Sequence, residues 1–252
     1  MSHNLYVLEQ LVVRDFKIRY RNMSLGVLWS LLNPLVLVAV YSFVFTKIFL
    51  NQGIRHFGLY ALIGVVCFNY FSLALTSATS SITCNAGLVK RVRVPREAIP
   101  ISSVLANSIH FLLQFSLILA FTLWLGIPVG LSWLWIPVVI VLLITAVAGI
   151  SLLTSAMDVY VRDTRYIVES AIVVLFWLTP TFYSDKLVPV AYKTWYMLNP
   201  VTDAAIAMRQ IVIEQRTPDS SALLYAVAGS CVLLLVGAAT FEATKNRLAD
   251  HL

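Results

Sequence analysis

Residues 98–157 contain no Asp, Glu, Lys or Arg, a run too long to be the core of a water-soluble helix or strand. About 20 consecutive apolar residues already cross the hydrocarbon layer of a bilayer, so the run has room for two crossings. Gly126-Ile-Pro-Val-Gly130 near its middle supplies the turn residues that divide it. The rest of the chain agrees with lipid as solvent. Of its 252 residues 60% are hydrophobic and 12% charged, against about 45–50% apolar and about 25% charged in soluble domains.

Counting uncharged runs and the turn residues between them predicts an all-α, polytopic protein with six membrane helices in a single domain over 1–252. The first span covers about 25–49, with a kink expected at Asn33-Pro34, and the second about 57–84. The third and fourth share 98–157, the fifth is about 166–183 with Glu169 in its first turn, and the sixth about 220–241. Ahead of them, residues 5–21 read as an amphipathic interfacial helix, with Leu5, Leu8, Val12 and Phe16 on one face and Gln10, Arg14, Lys17 and Arg21 opposite. Arg19 projects toward the apolar side, so it must snorkel, pair with Asp15 one turn back, or mark the helix end.

Six spans divide the 18 Lys and Arg between two sides. Arg14, Lys17, Arg19, Arg21, Lys90, Arg91, Arg93, Arg96, Arg162, Arg165, Lys245 and Arg247 fall on one, and Lys47, Arg55, Lys186, Lys193, Arg209 and Arg216 on the other. The positive-inside rule assigns the richer side, with both termini, to the cytoplasm. The same rule accounts for the net charge of +6, so no nucleic-acid partner is expected. The N-terminus lacks the basic start, unbroken apolar core and cleavage site of a signal peptide. Residues 185–219 are the one sizeable loop, on the outer side. In it Asn199-Pro200 reads as a helix start, Asn as cap and Pro at the first position, followed by a stripe of Val201, Ala204, Ala205 and Met208. That helix is either an interfacial connector or re-entrant.

The chemistry that is missing narrows the function. There is no Gly-Lys pair, hence no GxxxxGK[ST] phosphate loop, and no HExxH or GxSxG motif. Charges gather near span ends, whereas ion-coupled transporters place ionisable groups at membrane depth. Cys67, Cys84 and Cys231 stand in apolar stretches without a CxxC pair and read as small core residues, with no disulfide or metal site expected.

The stretch from Arg14 through Trp29 and Asn33-Pro34 to Tyr41-Ser-Phe-Val-Phe45 resembles the ABC type-2 permeases that export polysaccharides, most of all the Wzm-type O-antigen permeases and their teichoic-acid counterparts. Residues 85–90 through 95–97 to Pro100, then Val161-Arg-Asp163 with Tyr166-Ile-Val168, and Leu198-Asn-Pro200, are similar in the same order, and the likeness covers nearly the whole chain. It implies a permease subunit, not an enzyme, that pairs with a second copy of itself and docks two ABC ATPase subunits, where ATP and Mg would bind. The cargo it implies is a lipid-linked polysaccharide carried across the inner membrane of a bacterium. The cytoplasmic segment 85–97 would be the coupling loop, with Asn85, Leu88, Lys90, Arg91, Arg93, Pro95, Arg96 and Glu97 as contacts, though these cations also suit lipid phosphates. The resemblance points to the first and fifth spans for the path: Trp29, Tyr41, Phe45, Trp177, Phe182 and Tyr183. Aromatic faces suit a sliding sugar polymer, and Tyr and Trp are also common at membrane interfaces. His110 reads as a hydrogen-bonded packing residue. Two other functions fit less of the sequence: export of teichoic acid, small lipids or drugs by the same architecture, and a membrane enzyme on polyprenyl-linked sugars, for which Glu169 or Asp185 would have to serve.

Overall fold

The computed structural model describes residues 3–21, 24, 26–48, 54–91, 94–245 and 248. Among these the chain is helical and forms no strand. The elements are α1 (His3–Tyr20), α2 (Leu28–Phe43) with a π-helical turn Val44–Ile48, α3 (Phe57–Thr79), α4 (Ser81–Cys84) and α5 (Ala86–Arg91). Then come α6 (Ala98–Trp124), a 3-10 turn Leu131–Trp135, α7 (Ile136–Tyr160) and α8 (Thr164–Leu178). A second 3-10 turn (Asp185–Leu187), α9 (Val190–Tyr196), α10 (Pro200–Val212) and α11 (Ser220–Thr244) complete it.

Four helices are long and apolar enough to cross a membrane: α3, α6, α7 with its preceding turn, and α11. Large apolar side chains are exposed along their flanks, among them Leu112, Leu119 and Leu123 of α6 and Leu224, Val232 and Leu235 of α11. Patches of that extent are untenable in water. The division predicted within 98–157 falls where expected, with Gly126 in the left-handed region (φ 68°) just past α6.

The centre of the bundle is α3, buried over most of its length against α2, α6, α7, α8 and α10. α11 is different, since only Ser230, Gly237 and Phe241 are buried on it. It meets α7 through glycines: a Cβ on Gly237 would lie 1.9 Å from the Gly149 carbonyl oxygen. Small residues allow such backbone approach in lipid, where packing has no hydrophobic drive between helices.

α1 and Leu248 meet at one end of the bundle, where Leu11, Ile82, Ile99, Ala156, Phe241 and Leu248 share an apolar cluster. At the opposite end the Ser132 hydroxyl donates to the Ile211 carbonyl. The first is called the terminal end and the second the far end.

Several elements depart from the sequence expectation. The second span is broken at Ser80, where α3 gives way to α4. α2 continues through Pro34, and its irregular turn lies later, at Val44–Ile48. α8 starts at Thr164, so Glu169 stands in its second turn and is exposed. Its 15 residues give only about 22 Å of helix at about 1.5 Å per residue, short of a full crossing. Residues 25, 49 and 247, named in the span and charge readings, lie outside the described residues.

Candidate functional site: the terminal end and a broken helix at the far end

At the terminal end α1 packs against α6. It climbs along α6, with Asp15 accepting from Ser102 and Ser103 and the Tyr20 hydroxyl 2.5 Å from Nδ1 of His110. The face that packs carries Val7, Leu8 and Leu11, which join the terminal-end cluster, whereas Leu5 is exposed. The predicted Leu5, Leu8, Val12, Phe16 face is thus rotated, because Asp15 finds serine donors and can enter the contact. Arg14 pairs with Asp15 at 2.9 Å, which leaves Arg19 without that ion pair. Arg19 is half-buried, and the loss of hydration holds its pKa below the ordinary value. Lys17 and Arg21 are exposed, and the Phe16 ring meets Tyr20 at a tilt, 5.0 Å between ring centroids.

The segment 85–97 is at the same end. Asn85 caps α4 and donates to the Ser81 carbonyl. Leu88 and Val94 pack on the terminal-end cluster, while Lys90 is exposed. The Arg96 guanidinium donates to the Lys245 carbonyl at the end of α11. Pro95 accepts from the Ala98 amide and Glu97 from Ile101, which starts α6. Arg93 and the side chain of Arg91 lie outside what is described. Next to this segment sits a group that the sequence did not point to. Asp158, fully buried on α7, receives Arg165 of α8 and Thr83 of α4. Its spacing to Arg165 is a weak signal, since seven residues and a helix break separate them.

The six aromatic residues named for the path separate into groups. Tyr41, Phe45 and Phe182 meet, with ring centroids 4.0 Å apart for Tyr41 and Phe182 and 5.6 Å for Phe45 and Phe182. Phe182 is buried. Trp177 is exposed and reaches this cluster through Phe176. Tyr183 belongs to a hydroxyl chain, donating to the Trp177 carbonyl and accepting from Tyr196. Trp29 is exposed near the other end of α2, about 18 Å from Tyr41 by helical rise.

Between α8 and α11 the chain folds back into the bundle. The predicted cap is present, Asn199 Oδ1 accepting from the Val201 amide with Pro200 at the first helical position. The helix it starts is not an interfacial connector: every residue from Val201 to Val212 is buried, against α3, α7 and α11. Two ionisable groups come with it, Asp203 and Arg209, both almost wholly buried. Charges therefore do not all gather at span ends, and Arg209 is no loop cation.

Arg209 resolves a problem created where α8 stops. Pro180 lacks the N–H that would continue the helix, and Thr181 after it packs beside Gly64, about 10 Å along α3 from Phe57. Unpaired carbonyls at that depth cost several kcal/mol in lipid (about 2 or more each). Arg209 Nη1 donates to the Pro180 carbonyl at 2.6 Å, Nη2 to Thr181 at 3.2 Å, and Nε and Nη2 both to Tyr60 at 3.2 and 3.0 Å. Its guanidinium carbon lies 3.5 Å above the Tyr60 ring. A planar fork with five donors meets this arrangement, whereas an ammonium would not. Gly64 makes the room, since a Cβ there would lie 2.6 Å from Nη2. Beyond α10 the Gln210 amide holds Asp219, and hydrogen bonding from Arg216 keeps the Asp219 carboxyl below the usual carboxylate range.

The cysteines correct one expectation. Cys67 is a core residue, but Cys84 and Cys231 are exposed. His110 is a packing residue as expected, bridging Tyr20 and Gln114.

Residues 6–213 match the ABC-2 type transporter family. The chain belongs to that family. It is 30% identical to the O-antigen export system permease protein RfbA of Klebsiella pneumoniae, across 100% of this chain and 98% of that protein. It is also 30% identical to the O-antigen export system permease protein RfbA of Myxococcus xanthus, covering 98% and 95% of the two chains. The polysialic acid transport protein KpsM of Escherichia coli is more distant, at 20% identity over 95% of this chain and 94% of its own length. As an ABC-2 family protein with four long apolar helices, it is an integral membrane protein.

Proposed function

We propose that this ABC-2 protein is the permease subunit of an ATP-driven exporter that moves a lipid-linked, O-antigen-like polysaccharide across the cytoplasmic membrane. The observation that carries this reading is the end-to-end similarity to O-antigen export permeases of two distant bacteria. In this reading α2 with its π-helical turn, and α8 with the chain that folds back through α10, complete six crossings with the four long helices, and the terminal end faces the cytoplasm. Lys90 and Arg96 lie at that end, which the positive-inside rule favours. The same end would present Lys90 to an ATPase subunit, which would hold ATP and Mg. A second copy would close a path along α2 and α8, whose outer faces expose Leu28, Trp29, Leu32 and Val36 on one and Ile167, Val173 and Trp177 on the other. Aromatic side chains there offer contact to passing sugar rings without fixing one register.

The experiment is deletion of the chain in its own cells with complementation. Loss of long surface glycan, its accumulation on a lipid inside, and co-purification of an ATPase with the tagged chain are expected. Normal surface glycan in the deletion strain would sink the proposal. The similarity to a polysialic acid transport protein favours a second reading, a capsule-type glycan as cargo. The chemistry of the accumulated lipid-bound glycan decides between them, and accumulation of a small lipid or teichoic acid would exclude both.

A further inference from the structure

α10 sits between α3, α7 and α11 and touches the 3-10 turn Leu131–Trp135. On the side of α7 and α11 its Asp203 lines a cavity of about 20 Å³, enclosed by Val139 and Leu143 of α7, Ala204 and Ala207 of α10, and Leu223 and Ala226 of α11. That is room for one water-sized group among apolar side chains. Asp203 is 3% exposed, and its Oδ1 has no hydrogen-bond partner among the described residues. An ionisable side chain at membrane depth points to a function, and the transport reading gives Asp203 none.

A carboxyl buried in this way needs amide donors, an opposite charge, a metal ion or a proton. The amides at the start of α10 are taken. Val201 donates to Asn199 Oδ1, Thr202 and Asp203 donate to the Asn199 carbonyl, and Pro200 has no N–H. Arg209, the cation of α10, lies six residues on, about 9 Å along the axis and two-thirds of a turn round, where it holds the Pro180 and Thr181 carbonyls. The neighbouring elements bring no charge either. The titratable groups of α7, Asp158 and Tyr160, stand about 22 Å or more beyond Leu143 at the terminal end. On α11, Tyr225 and Cys231 are exposed, and Glu242 is about 24 Å beyond Ala226. α3 contributes the hydroxyls of Tyr60 and Tyr70 and the thiol of Cys67, and the 3-10 turn has no titratable side chain. A metal ion would want several ligands, and no group of three His, Cys, Asp or Glu occurs among the described residues.

The proton is what remains. We propose that Asp203 is a proton-binding site: in the assembled bundle it carries its proton at neutral pH, and that proton lets α10 sit between α7 and α11. The neutral acid needs no counter-charge. Ionisation would set an unpaired anion against Val139, Leu143 and Leu223, relieved only by α10 leaving its seat for water. Alkaline pH therefore loosens the far end. None of this depends on the cargo, so the proposal stands or falls apart from the transport reading.

The full chain, parent and Asp203→Asn, is measured in two ways. The infrared difference spectrum of the two at pH 7 should contain the carbonyl band of a protonated carboxylic acid, moved by D2O and missing from the variant. A carboxyl in water is protonated in only about one molecule in 1,000 at that pH, so a carboxylate signal in place of the acid band overturns the proposal. In thermal unfolding of the detergent-solubilised protein, the parent holds one more proton folded than unfolded, so its stability falls as pH rises. From pH 5.5 to 7 its folding equilibrium should weaken about 30-fold relative to Asp203→Asn, tenfold for each pH unit, and its midpoint should drop against that of the variant. Parallel midpoints overturn the role of the proton in seating α10 even where the acid band is present. If Asp203→Asn does not fold, Asp203→Leu is the reference for both measurements, since an apolar side chain of similar size also needs no counter-charge there.

Discussion

Asp158 of α7 and Arg165 of α8 form a two-point ion pair, Nε to Oδ1 at 2.7 Å and Nη2 to Oδ2 at 3.0 Å, around a carboxylate with no exposed surface. Thr83 of α4 donates to the same carboxylate at 2.7 Å and accepts from Arg165 at 2.5 Å. Three helices are thereby joined immediately before Asn85, where the proposed docking segment starts. Removing Arg165 leaves a buried charge with one hydroxyl partner, which costs about 3 kcal/mol or more. Arg165→Leu and Asp158→Leu should each lower thermal stability of the detergent-solubilised protein, and the double variant should lose less than the worse single one. Strictly additive losses would show that the pair is not coupled.

Arg209 should be intolerant of lysine. Arg209→Met unpairs the Pro180 and Thr181 carbonyls together, at about 1–3 kcal/mol for each buried acceptor, while the Tyr60 carbonyl keeps its helical partner within α3. Arg209→Lys keeps the charge but lacks the planar fork, and should behave much closer to Met than to Arg. The measurement is cleavage by added protease between α8 and α10 in oriented membranes, which rises if the break loosens. A lysine variant as resistant as the parent would mean that charge alone holds this segment.

The two regions differ in how legible they were from the residues. Long uncharged runs set the four full crossings, and Gly126 marked a turn because only a residue free of Cβ strain suits φ 68°. The Asn199-Pro200 cap was readable because its geometry is local. The role of Arg209 was not, since its partners lie 28, 29 and 149 residues away and are carbonyls that every residue possesses. The α1 face was misjudged for a similar reason: Asp15 counts as polar by itself, and only the fold supplies Ser102 and Ser103. Of the candidate path residues, the family resemblance brought the first and fifth spans to attention but could not separate buried Phe182 from exposed Trp177.

The Asn199 cap carries a second contact that separates its two functions. Oδ1 accepts from Val201, and Nδ2 donates to the Thr179 hydroxyl at 3.0 Å. Asn199→Ala should destabilise α10 by about 1 kcal/mol or somewhat more. Asn199→Asp retains the cap but not the donor, and should keep most of the stability. Amide hydrogen exchange over the first turn of α10 reads the outcome, and equal exchange in both variants would assign the whole effect to Thr179.

The junction of α7 and α11 permits a comparison within one helix. A Cβ on Gly237 would meet the Gly149 carbonyl oxygen at 1.9 Å, and one on Gly149 would meet the Leu233 backbone at 2.4 Å, whereas Gly229 has nothing within 4 Å. Backbone cannot move aside as a side chain does, so Gly237→Ala must push the two helices apart, at about 1–3 kcal/mol or more for overpacking. Gly229→Ala adds helix propensity without a clash and should be neutral or stabilising by up to about 1 kcal/mol. So little of α11 is buried that this close approach is central to its attachment, with packing on α10, the Tyr160 bond to Thr244 and the Arg96 bond to Lys245 beside it. Gly237→Ala should therefore lower the thermal midpoint and expose residues 213–219 to protease, while Gly229→Ala does neither. Equal behaviour of the two alanine variants would show that α11 is held by surrounding lipid or a second copy and not by its approach to α7.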